Sequence, residues 1–130
     1  MNPAMLDHIC ISVIPHKDQR YETVGDWLYI GNSLHIYVSD MGCDEYHQLV
    51  AIHEYVEALL CRMAGISEEE VTAFDKAFEE RRESGNTDEP GDDPKAPYYA
   101  QHQFATQIEK LMSVKLGVKW DDYEKAIYAL

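Results

Sequence analysis

Residues 45–64 contain neither proline nor glycine until Gly65 ends the run, and their apolar side chains return at the helical period. On a wheel of 100° per residue, Tyr46, Leu49, Val50, Val56, Leu60 and Ala64 share one face. His53 and Glu57 fall in the middle of that face, one turn apart, with Glu54 at its edge and Cys61 at its rim. A carboxylate turned toward a core is costly unless it is paired or holds a metal. This helix therefore dictates both the packing and the chemistry that the rest of the chain must accommodate.

The first 40 residues read as strands. Ile9, Ile11, Val13 and Ile14 form a β-branched run ended by Pro15, and Trp27–Ile30 and Leu34–Val38 flank the turn residues Gly31, Asn32 and Ser33 as a hairpin. After the helix at 45–64, with Asp44 as its N-cap, Ser67-Glu68-Glu69-Glu70 is a capping-box start for a second helix running to Arg82. Residues 83–97, ESGNTDEPGDDPKAP, read as a mobile acidic loop. A third helix is expected from Pro97 or Tyr98 to Lys115, stopped by Gly117, and a short fourth from Asp121 to Ala129. The expected fold class is α+β: one domain over 1–130, with a small antiparallel N-terminal sheet (1–40), two helices (44–82), the acidic loop (83–97) and two more helices (98–130).

Charge narrows the function. Lys and Arg number 11 against 24 Asp and Glu, a formal net charge of −13. Phosphate contacts need clustered basic residues, so nucleic acid is not an expected partner. No apolar run reaches the roughly 20 residues that span a bilayer, and the start, MNPAMLDHICISVIPHKD, lacks the basic opening of a secretion signal. Cys10, Cys43 and Cys61 form no CxxC and read as reduced thiols, so the expected location is cytoplasmic. Nucleotide-binding glycine loops, a GxSxG elbow, a zinc-deaminase motif and paired Glu-x-x-His motifs are all missing from the sequence.

The stretch His53-Glu54-Tyr55-Val56-Glu57 is an HExxE. Ligands at i and i+4 grip a metal from one helix turn, and an intervening Glu can act on a water. His102 on the third helix supplies a second imidazole, with Glu109 two turns later as a further candidate ligand. Asp75 on the second helix is a candidate hydrogen-bond partner for a ligating histidine. The expected cofactor is a divalent metal, with zinc first and manganese or iron suited to the greater carboxylate share.

On these residues the chain resembles the zincin-type metallohydrolases in a minimal form: a small sheet, an active-site helix carrying HEYVE, and a later helix with the remaining ligand. It also resembles small uncharacterised phage or prophage proteins with an HE-x-x-E…H-x6-E pattern. The zincin resemblance implies His53, Glu57 and His102 as ligands, Glu54 as general base, and a peptide or small amide as substrate. Glu57 stands where that family has His. The competing reading is a non-enzymatic acidic interaction protein, of a phage accessory or inhibitor type, that binds a basic protein partner. In it the acidic loop is the binding element, His53 and Glu57 are core pairing, and any metal is structural.

Overall fold

The computed structural model describes residues 5–130. Three strands, β1 (His8–Ile14), β2 (Gly25–Ile30) and β3 (Ser33–Ser39), precede four helices: α1 (Asp44–Ala64), α2 (Glu68–Glu80), α3 (Tyr99–Lys115) and α4 (Trp120–Tyr128). This is an α+β layout, with the sheet N-terminal to the helices.

The hairpin forms around Gly31, whose φ of 60° suits the first loop position of a two-residue turn. Sheet order is β1-β3-β2, with β2 antiparallel and β1 parallel to β3. The sheet is therefore mixed rather than antiparallel throughout. Pro15 ends β1, and residues 15–24 are too long for a tight hairpin; they carry the chain past β3, which then inserts between β1 and β2. That crossing is held by Gln19, which donates to the Val24 and Tyr37 carbonyls, and by a bidentate Arg20–Asp26 pair at 2.7 and 2.9 Å.

Leu34, Ile36 and Val38 alternate onto the inner face of the central strand and are fully covered. Helix α1 packs on that face above β2 and β3. Ile9, Ile11 and Val13 pair in register with those three residues, yet stay about half exposed because β1 lies beyond the helix.

Helix ends follow the local chemistry. Gly65 caps α1 in the left-handed conformation (φ 75°), and Ser67 with Glu70 makes the complete capping box of α2. Helix α2 stops at Glu80, so Arg82 lies beyond it. Its guanidinium bonds Glu79 and the carbonyls of Asn86 and Asp88. The acidic segment is thereby tied down, and its Pro90–Asp92 turn packs against α3 instead of standing free as a mobile loop. Among the described residues, no helix is long and apolar enough to cross a membrane.

Candidate metal centre

Helix α1 has two covered sides. Val50, Glu54, Ala58 and Cys61 are buried toward the sheet side, and His53 and Glu57 meet α3. Glu54 is consequently as buried as its neighbours rather than marginal, since the helix is covered from two directions. Cys61 is fully buried, and burial together with the Glu57 charge pushes its thiol up to about 12, a poor ligand.

His53, Glu57 and His102 converge from α1 and α3, and are 6, 4 and 4% exposed. Their candidate ligand atoms form a near-equilateral triangle: His53 Nε2 to Glu57 Oε2 3.1 Å, Glu57 Oε2 to His102 Nδ1 3.0 Å, and His53 Nε2 to His102 Nδ1 3.2 Å. A tetrahedral zinc with ligands about 2.0–2.1 Å away holds them roughly 3.3–3.4 Å apart. The triangle is close to that edge length, and these three residues could hold a metal ion.

The surroundings orient each member. His53 Nδ1 lies 2.7 Å from Glu109 Oε1, which leaves Nε2 as the lone-pair nitrogen facing the triangle. Glu109 accepts from the Tyr123 hydroxyl of α4 through its other oxygen at 2.5 Å. Glu109 therefore orients His53 from behind and is no fourth ligand to the triangle. Glu57 Oε1 accepts from the Trp27 indole at 3.0 Å, which fixes the carboxylate and turns Oε2 to the imidazoles.

Two glycines make room. A Cβ on Gly25 would come within 2.7 Å of Glu54 Cγ, and one on Gly91 within 2.3 Å of His102 Cγ. Both are close approaches that only glycine permits. Neither glycine carries a local signal of this role in the sequence.

The electrostatics favour positive charge here. Burial opposes the charged form of His53, but Glu109 and Glu57 outweigh it and hold its pKa well above the ordinary value. The same competition at His102, with Asp92, Glu57 and Glu89 against burial, also ends upward. Burial would raise Glu57, but the two imidazoles bring it below the usual carboxylate range. Glu54 lies 3.9 Å from His53 Nε2, and burial plus the Glu57 charge hold it well above that range. Asp26, Glu54, Glu57, Asp75 and Glu109 are all buried, and of these Asp26 has Arg20. A divalent cation at the triangle would supply, against Glu57 and Glu109, the positive charge that the two imidazoles otherwise supply by holding protons.

Asp75 does not bond a histidine. Its oxygens accept from the Tyr21 hydroxyl at 2.7 Å and from the Tyr98 hydroxyl. Burial pushes its carboxyl up to about 7 despite both bonds. An acid raised on folding makes stability fall as pH rises from about 4 to 7, because the unfolded chain ionises first. Asp75→Asn removes that dependence. With chelator present throughout, urea unfolding is expected to show the variant gaining up to about 4 kcal/mol relative to wild type across this range. A constant difference between the two curves would mean that Asp75 is ionised throughout.

A cavity of about 300 Å³ opens beside the triangle, bordered by Tyr21, Glu54, Asp75, Arg82, His102 and Tyr123 among others. Its size suits a small ligand or one side chain of a larger one. Compared with known proteins, the chain matches no family model, no curated protein and no solved structure.

Proposed function

We propose that this protein is a divalent-metal-dependent hydrolase, with zinc as the first-choice metal and a peptide or small amide as substrate. The observation that carries this reading is the buried triangle of two imidazole nitrogens and one carboxylate oxygen, oriented from behind by Glu109 and Trp27. Three protein ligands leave a tetrahedral position for water, the arrangement of catalytic rather than structural zinc sites. A divalent ion supplies Lewis acidity there, acidifying a water and polarising a carbonyl.

The protein's own part falls to Glu54 and the cavity wall. Glu54 sits at the edge of the triangle, and its upward-held pKa suits a group that takes a proton from a water and returns it to a leaving amine. Gly25 leaves room for that side chain, and its packing limits the positions it can take. The adjoining cavity offers space for the acyl and amine portions of a substrate. The layout of sheet, HEYVE helix and later His-bearing helix is the basis for the zincin-like reading.

Elemental analysis of untagged, dialysed protein tests the site directly. About one zinc, manganese or iron per chain is expected to survive dialysis in wild type, and none in His53→Ala. Undiminished metal in the variant would remove His53 from the ligand set. No metal in either protein after zinc is added back would overturn the hydrolase reading and favour an acidic interaction protein.

A further inference from the structure

The imidazole of His102 has a second edge that the triangle does not use. Nε2 points away from Glu57, toward the acidic segment, and lies 2.9 Å from Glu89 Oε2 and 3.3 Å from Asp92 Oδ1. Both are ion-pair distances, but neither oxygen meets it with hydrogen-bond geometry, so this buried nitrogen makes no hydrogen bond. The His102 side chain is 6% exposed, whereas those of Glu89 and Asp92 are each 43% exposed. One buried nitrogen thus looks out at two solvent-facing carboxylates.

We propose that Glu89, Asp92 and His102 Nε2 form a second divalent-cation site, distinct from the buried triangle and sharing its histidine. One ligand atom from each lies within 4.8 Å of the others. Two carboxylates and one nitrogen, with solvent completing the shell, suit a hard ion such as Mn²⁺ better than the nitrogen-richer inner site does. Asp92 is held by Gln103, which donates to Oδ1 at 3.1 Å, and the Glu89 amide meets Oδ2 at 3.4 Å. Gly91, pressed against the ring, sets the height at which both carboxylates stand over Nε2. With both sites filled the His102 ring is a bridge, and its remaining ring proton leaves to solvent as the second ion binds. The outer site is the weaker one, because its carboxylates keep much of their hydration.

Mn²⁺ binding, counted by electron paramagnetic resonance, tests this on three proteins: wild type with the inner site filled by zinc, Glu89→Gln/Asp92→Asn treated the same way, and His53→Ala. Wild type is expected to take up one further Mn²⁺ per chain. The double variant should take up none while keeping its zinc, and His53→Ala should still bind one. No saturable Mn²⁺ in wild type would overturn the proposal, as would full binding by the double variant. Loss of zinc together with Mn²⁺ in the double variant would also overturn it, making the two carboxylates positioning groups for His102. If the double variant is unfolded by circular dichroism, Asp92→Asn alone is read in the same way, with weaker Mn²⁺ binding expected. Mn²⁺ bound by His53→Ala but lost in the double variant registers the outer site even if the inner site holds no zinc.

Discussion

Glu54→Gln is expected to keep wild-type metal content and to lose amide hydrolysis by roughly 10²–10⁴-fold, the range that a general base contributes. The substitution is nearly isosteric, so the close fit of the side chain beside Gly25 survives. Only the capacity to accept a proton is removed. Fluorogenic peptides and anilides, assayed beside elemental analysis of the same preparations, provide the check. Turnover equal to wild type would place the base elsewhere, and metal loss would make Glu54 a ligand. Either result rejects its assigned role.

Gly91→Ala is the second large effect, and it acts through shape alone. The new methyl would stand 2.3 Å from Cγ and 2.4 Å from Nδ1 of His102, well inside van der Waals contact. The ring is buried against Tyr98 and His53 and has little room to retreat. Either it leaves the triangle or the Pro90–Asp92 turn lifts away. Overpacking of this kind costs about 1–3 kcal/mol, and displacing one ligand is expected to weaken zinc binding at least ten-fold. Chelator competition and urea unfolding measure the two effects. Wild-type zinc affinity in Gly91→Ala would mean that the Pro90–Asp92 turn, not the His102 ring, gives way.

What could be read from the sequence follows from how local each signal is. Gly65, Ser67 with Glu70, and Gly31 state their turns and caps within a few residues, and the structure places them so. His53 and Glu57 are legible because four-residue spacing on a helix fixes their alignment. The parallel pairing of β1 is not, since it depends on where residues 15–24 deliver the chain. Glu109 falls in line with His102 on α3, the spacing of a candidate ligand. Which side of His53 it reaches is set by helix packing, and it reaches Nδ1. Asp75 faces tyrosines from two distant segments, Tyr21 and Tyr98, for the same reason. Glu89, Gly91 and Asp92 sit in a stretch whose composition signals a loop. Their position over His102 comes from tertiary packing and from the Arg82 tether.

The seam between α1 and α3 has a consequence for chain entropy. Its side-chain pairings join positions 45, 49 and 56 residues apart, enclosing α2 and the whole acidic segment. An ion gripped across the seam closes a loop of that length, a constraint on the unfolded chain worth about 4 kcal/mol in the loop-closure picture. The described cysteines are all free, so such a cross-link would be made by a cation and released by a chelator. Resistance to heat would then follow the supply of free metal around the protein rather than the redox state of its surroundings.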